Sequence, residues 1–332
     1  MQNRIAAIVG AGTLSLFVLL ALAYAFWRTR GPMPTVTLAY PQLLSSALLY
    51  VAQENGYFAE RGLDVRHAPF PTGRDALEEM LKGGADVAVA YESPMLGQVC
   101  RGEDIVALTK IHSSDRDTGL VLRDADVASL RGKRVGVPLG TNAEFVLAQL
   151  LHFSGLQPSD VVIADLPPSR VVEAFRSGEV FAAAVWNPLL QEALAAGGRG
   201  AHVLFSDVYT EASLLLAKRA SLSERGDSFV RLLRALHDAE LYVSSHPEES
   251  KRIVAAALPQ VSLEQVDTLW SDFDFRLGLD HVLVASFQMQ AEWLDHADRG
   301  CPSLPDVSTL VDPSPLRLVD AAAVTVFQLT VP

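Results

Sequence analysis

The residues with the clearest chemistry to offer lie between Lys133 and Leu151, KRVGVPLGTNAEFVLAQLL, where a polar turn separates two apolar segments. Thr141 followed by Glu144 has the spacing of a capping box, in which each side chain satisfies an amide that the first helical turn leaves unpaired. Gly140 permits the turn that a bulkier residue would resist. A helix start of this kind offers free N–H groups, which hold a ligand and break no bond. The plain alternative is that Thr141 only caps a helix. Catalytic sets are not in view: the eight histidines are scattered with no HExxH motif, and Cys100 and Cys301 have no metal-type spacing. No nucleophile is paired with a base. The expectation is therefore a binder that uses no metal and no cofactor and is not an enzyme.

The elements that must position this turn follow from the pattern around it. Val135, Val137 and Leu139 carry strand propensity. Phe145, Leu147, Leu150 and Leu151 give the helix a packing side, and Gly155 stops it. Upstream, Thr35 to Ala39 reads as a strand and Ser45 or Ser46 as the cap of a helix packed through Leu48, Leu49, Val51 and Ala52. A second strand through Val65, a helix from Thr72 to Lys82 ended by Gly83-Gly84, and a strand from Asp86 to Ala90 complete a βαβαβ series.

The same order then occurs again, through Val135 to Leu139, the helix after Thr141, Val161 to Ile163, a helix around Val171 to Arg176, and Phe181 to Trp186. MLKGGADVAVAYESP (Met80 to Pro94) even echoes FRSGEVFAAAVWNP (Phe175 to Pro188). Two such halves imply an α/β chain with two Rossmann-like lobes. Residues 31–115 and 206–332 are expected to form the first and residues 116–205 the second. The strand-rich segments Ile105 to Leu122 and Val203 to Leu216 would cross between them. From Leu222 onward the pattern is helical, and these helices are expected to be an outer layer on the first lobe. In an open α/β sheet the ligand groove lies outside the carboxyl ends of the strands, which directs attention to the strand-to-helix turns of both lobes.

Composition bounds where such a protein works. The uncharged run from Ile5 to Trp27 has roughly the 20 residues needed to cross a bilayer as a helix. Residues 1–30 read as a membrane anchor or as a signal peptide, for which Ala23-Tyr24-Ala25 offers a cleavage site. Either reading puts the remainder outside the cytoplasmic membrane. A formal charge of −12 with no basic patch argues against nucleic acid. Cys100 and Cys301 could pair in an oxidising compartment, and the sequence leaves their state open.

LLYVAQENGYFAERGLDV (Leu48 to Val65), the two glycine-to-strand echoes, VGVPLGTNAEFVLAQLL and FRLGLDHVLVASFQMQAEWL (Phe275 to Leu294) together resemble the nitrate, sulfonate and thiamine-precursor group of periplasmic binding proteins. The resemblance covers nearly everything after residue 35. It implies a type II periplasmic binding protein fold with a hinge, which captures a small molecule between its lobes and delivers it to the permease of an ABC importer in the inner membrane. Carried onto this sequence, it implies a pocket drawn from Tyr40, Gln42, Ser45, Ser46, Thr72, Gly73, Tyr91, Glu92 and Ser93 of the first lobe. The second lobe would add Thr141, Asn142, Trp186 and Asn187.

The sequence also departs from that group. Asp86 stands three residues after Gly83, but the corresponding position after Gly178 is Phe181, which should alter lobe packing or the hinge. Glu144 and Glu92 would repel an anion unless Arg74 or another base offsets them. A Glu92 facing the pocket suits a neutral or cationic planar compound, whereas the plain reading of Glu92 is a solvated rim residue. A membrane-anchored sensor is the alternative function, and an enzyme on the same fold is a third.

Overall fold

The structure is a computed structural model that describes residues 33–124, 126–296, 301 and 306–326. The N-terminal apolar run of residues 1–30 lies outside the described residues. Among the described residues no helix is long and apolar enough to cross a membrane.

The first half of the chain forms β1 (Thr35–Pro41), α1 (Ala47–Glu54), α2 (Tyr57–Glu60), β2 (Asp64–Phe70), α3 (Gly73–Lys82), β3 (Val87–Tyr91), α4 (Glu92–Val99) and β4 (Ile105–Ser114). The chain then crosses into β5 (Thr118–Leu122), β6 (Arg134–Val137), α5 (Asn142–Phe153), β7 (Val162–Asp165), α6 (Pro168–Ser177), β8 (Ala182–Trp186), α7 (Leu189–Gly197) and β9 (His202–Leu204). It returns through β10 (Glu211–Lys218) to α8 (Leu222–Ser245), α9 (Pro247–Ala257), α10 (Leu263–Trp270), α11 (His281–His296) and α12 (Ser314–Arg317).

Two five-stranded sheets result, with orders β2-β1-β3-β10-β4 and β7-β6-β8-β5-β9. Each has three parallel strands and one strand, β10 or β5, that runs antiparallel to its neighbours on both sides. The repeat seen in the sequence is thus a repeat of topology. In β3 and β8 every residue is buried, because helices cover both faces of a largely parallel sheet. That is why VAVAY and AAAVW read as unbroken small-apolar runs.

Each sheet has its own apolar core. One is centred on Leu38, Leu77, Val89 and Leu215, the other on Val121, Val135, Phe175 and Val185. Asp86 and Phe181 sit where their strands begin, at the far end from the strand-to-helix turns. Asp86 Oδ2 accepts the backbone N–H of Thr37 at 2.8 Å, whereas Phe181 lies under the Lys133 ammonium, 5.6 Å from its ring centre. Phe181 therefore packs within its own lobe, at the end of the strand away from the crossings.

One expectation about the C-terminal helices is corrected. α8 buries Leu232, Leu233, Leu236, Ala239 and Val243, one face at helical spacing, and packs on α1 as an outer layer. α11 does something else. It packs on α4 of the first lobe, yet its Trp293 ring lies 5.3 Å from Phe145 of α5 in the second lobe, and Met289 receives the Gln149 amide at 2.9 Å. The apolar face of SFQMQAEWL has partners on two lobes, which hydrophobic spacing alone does not reveal. Cys301, just beyond α11, forms a disulfide with Cys100 at the end of α4 across a sequence separation of 201.

Candidate ligand-binding site

The carboxyl ends of both sets of parallel strands meet where the chain crosses between sheets. β3 ends at Tyr91, whose phenol donates to Asp117 Oδ2 at 2.9 Å and lies 3.1 Å from His112 Nε2. Asp117 lies in the crossing between β4 and β5 and accepts the backbone N–H of Asn187, which follows β8, at 3.2 Å on Oδ1. The Asn187 N–H also reaches the Asp117 carbonyl at 3.1 Å. The next residue, Thr118, gives its backbone N–H and its hydroxyl to the two carboxyl oxygens of Glu211, each at 2.8 Å. Asn142, the first residue of α5, donates its side-chain amide to Glu211 and to the Thr118 hydroxyl, the latter at 2.7 Å.

Glu211 begins the return strand β10, and its neighbour Ala212 donates a backbone N–H to Glu92 Oε1 at 2.9 Å. Glu92 also receives the hydroxyls of Tyr209 at 3.1 Å and Ser286 at 3.2 Å. It is completely buried, so the reading of Glu92 as a solvated rim residue is wrong. The sequence places it one residue past a strand of small apolar residues, at the first turn of α4, and the return strand closes over it.

Three carboxyl groups, Glu92, Asp117 and Glu211, are therefore buried within one chain of contacts, and among the described residues none forms an ion pair. Burial, which disfavours the charged form, pushes Glu92 up to about 7 against the pull of its hydrogen-bond donors. Asp117 and Glu211 are likewise raised, first by burial and, for Glu211, by repulsion from Asp117 and Glu92. His112 is pushed down to about 3 by burial and is a neutral imidazole at pH 7.

An inter-lobe cavity of about 310 Å³ adjoins this cluster. Ser93, Arg74 and Arg101 line it from the first lobe, Gly140, Thr141, Glu144 and Asp165 from the second, and Trp293 of α11 closes one side. Arg74 also spans the lobes directly, donating to the Leu139 carbonyl at 2.9 Å. Ser93 donates to Gln290 Oε1 at 2.5 Å, and Gln290 in turn donates to Ser286 at 3.1 Å, which links the cavity wall to the donors on Glu92.

The other expected site residues fall into three groups. Tyr91, Glu92, Ser93, Thr141, Asn142 and Asn187 are brought together as described, and Trp186 is buried at the end of β8, in register with Thr118. Tyr40 and Gln42 are not. They line a separate cavity of about 540 Å³ inside the first lobe, where Tyr40 packs edge-on against Tyr50 and His67 and Gln42 lies against α9. The third group is structural. Thr72 caps α3 by accepting the Asp75 N–H at 3.1 Å, and a Cβ on Gly73 would fall 2.9 Å from the Ala90 Cα.

The expected caps at Ser45, Ser46 and Thr141 are not formed. Ser46 donates to the Pro41 carbonyl at 2.8 Å and Thr141 to the Pro138 carbonyl at 2.7 Å, so both hydroxyls stabilise the incoming turn. Glu144 does reach back, but to the Gly140 N–H at 2.7 Å. The Ser45 hydroxyl is buried beside the Tyr91 phenol, at the edge of the same cluster. Asp117, Thr118, Tyr209, Glu211, Ser286 and Gln290 went unnoticed in the sequence because they lie in the crossings and in α11, away from the parallel-strand turns. A signal was available: Glu211 is a lone acid at the head of the apolar strand ASLLLA.

Two lobes of like topology joined by crossing strands, with polar groups from both converging on the junction, define a two-lobed periplasmic-binding-protein fold. The fold is shared with the periplasmic aliphatic sulphonate binding protein SsuA from Escherichia coli, at a TM-score of 0.72 and 20% identity over 85% of this chain and 92% of that one. Residues 44–250 match the family described as NMT1/THI5 like, and the chain belongs to that family. A binding protein of Brucella abortus is 26% identical over 219 residues, covering 64% of this chain and 68% of its own length. A Bacillus subtilis protein named for binding aliphatic sulfonates is 26% identical over 214 residues, 61% of this chain and 64% of that one.

Proposed function

We propose that the chain is the extracytoplasmic solute-binding component of an ABC importer, which captures a small molecule between its lobes by hinge closure and hands it to a permease in the inner membrane. The observation that carries this reading is the cavity between the lobes. Arg74 and Ser93 line it from one lobe and Gly140 and Thr141 from the other, so a ligand seated in it touches both lobes and favours the closed arrangement because only closure supplies both sets of contacts. Family membership and the names of the relatives support a binding role. Residues 1–30 would anchor the protein at the periplasmic face or release it there after cleavage. The Cys100–Cys301 disulfide suits that oxidising compartment.

Thermal unfolding against a panel of small solutes, followed by small-angle scattering, tests the reading. A ligand at a hundred times its dissociation constant should stabilise the native state by roughly 2.7 kcal/mol. It should also reduce the radius of gyration as the lobes close. A bound solute that leaves the scattering unchanged would count against hinge closure.

A further inference from the structure

The cavity lined by Tyr40 and Gln42 lies within the first lobe, apart from the inter-lobe cavity, and has the make-up of a binding site in its own right. One wall is aromatic: Tyr40 packs edge-on against Tyr50 and His67, with ring centres 5.9 Å and 5.7 Å away. The other wall is α9, which presents Ile253, Ala256 and Ala257. Two of these three side chains are single methyl groups, too small to fill the space beside the rings, and a cavity of about 540 Å³ stays open there. Concave, mainly apolar walls with a few placed polar groups are the usual form of a small-molecule site.

Tyr40 is the residue that points to an occupant. A buried phenol ordinarily finds a hydrogen-bond partner. Tyr50 does so, donating to the Leu43 carbonyl at 3.2 Å. Tyr40 is only 7% exposed and lines the cavity, yet its hydroxyl has no hydrogen-bond partner among the described residues. Gln53, on the same wall, gives its side-chain oxygen to His67 Nε2 at 2.8 Å, which leaves its amide N–H groups for another acceptor. Both side chains can donate, and what the cavity lacks is an acceptor.

Charge narrows the ligand further. Burial lowers His67 from its ordinary value, so the aromatic wall is uncharged at pH 7. Glu54, Glu249 and Arg252 stand at the exposed rim, where Arg252 already donates to Glu249 at 3.0 Å. An ion drawn down to the rings would shed water and meet no counter-charge there, which is costly. A neutral ring would gain edge-to-face contacts instead.

We propose that this cavity binds a small uncharged aromatic compound that carries a carbonyl or comparable acceptor, an aryl carboxamide in the simplest case. The acceptor takes the Tyr40 hydroxyl, and the ring lies between the aromatic wall and the alanines of α9. Every residue lining the cavity belongs to the first lobe, so occupancy neither needs nor causes lobe closure. The site is therefore independent of the importer reading.

Isothermal titration of the full chain with benzamide, cyclohexanecarboxamide, benzoate and benzylammonium tests this. The expected result is binding of benzamide, with the other three at least tenfold weaker and the radius of gyration unchanged. Tyr40→Phe keeps the ring and removes the donor, and should weaken benzamide at least fivefold. Ala256→Phe fills the cavity from the exposed side of α9 and should abolish binding. Circular dichroism checks that the variants fold, and either variant suffices if the other does not. Benzamide binding that ignores both substitutions overturns the assignment to this cavity. Benzoate or benzylammonium binding as tightly as benzamide overturns the ligand class. Silence from all four probes overturns the inference and leaves the importer reading untouched.

Discussion

The Tyr91 phenol and the Asp117 carboxyl, 2.9 Å apart, join the last strand residue of one lobe to the segment that leads into the other. The same carboxyl receives the Asn187 backbone N–H from the far lobe. One buried acid in a connecting segment thus sets how the two strand-end turns face each other. Its place also explains why acids are buried at the junction: the crossings bring their charged residues in with the backbone, and the lobes close over them.

Stability should fall as pH rises between 5 and 8 in the absence of ligand. Glu92 is raised from 4.5 to about 7 in the native state, so the folded chain holds a proton there that the unfolded chain has lost. Where the native state binds more protons, stability decreases with pH. At 1.36 kcal/mol per unit, Glu92 alone would cost about 3 kcal/mol once pH exceeds its folded value. Asp117 and Glu211 act in the same direction, and the three acids together oppose the single buried imidazole of His112, whose lowered value favours the native state as pH rises toward 6.5. Urea unfolding at pH 5 and pH 8 measures it, and Glu92→Gln should flatten the slope. A wild-type midpoint that climbs over this range would contradict the buried, unpaired state of these acids.

Much of this architecture was legible because it is written in local pattern. VAVAY and AAAVW announce buried strands, Gly83 and Gly178 mark the ends of the helices before them, and the echo of the two segments announces two sheets. The turns after β3 and β8 were legible for the same reason, which is why Tyr91, Glu92 and Asn187 could be named. Asp117 and Glu211 were not, since their roles come from contacts 70 and 69 residues away, with Asn187 and Asn142. Tyr40 was misplaced because a strand-end aromatic looks alike from sequence whether it turns toward the cleft or toward its own lobe. Only α9, packed on α1, decides that it turns inward.

Two glycines should respond in opposite ways to alanine. At Gly73 a methyl group would lie 2.9 Å from the Ala90 Cα, and backbone cannot swing aside as a side chain does. Gly73→Ala should cost about 1–3 kcal/mol as α3 is pushed off β3. Gly97, within α4, has open space for a Cβ, so Gly97→Ala should stabilise by roughly 0.5–1 kcal/mol through backbone entropy. Denaturant midpoints of the pair provide the comparison, and equal shifts would rule out the close approach at Gly73.

Reduction of Cys100–Cys301 should lower stability without dismantling either sheet. The bond closes a loop of 201 residues, and a long loop loses the most denatured-state freedom when cross-linked. The expected loss is about 2–4 kcal/mol. Neither cysteine lies in a strand, so far-ultraviolet circular dichroism of the reduced native protein should be unchanged. Matching midpoints with and without reductant would mean that the segment around Cys301 is held by other contacts.

Phe145 is the point at which α11 grips the second lobe, and its removal should separate lobe docking from lobe folding. Its ring is 1% exposed and lies 5.0 Å from Tyr209 and 5.3 Å from Trp293, so three rings from α5, the return crossing and α11 form one apolar knot outside both sheet cores. Phe145→Ala should cost about 3–5 kcal/mol, as does loss of any fully buried aromatic ring. Phe175→Ala, inside the second lobe's own core, should cost a similar amount. The difference lies in shape: loss of Phe145 frees the lobes to part, so scattering at low denaturant should show an expanded native species that Phe175→Ala lacks. If both variants scatter alike, α11 is a passive cover, and the hinge is governed by the Asp117 junction alone.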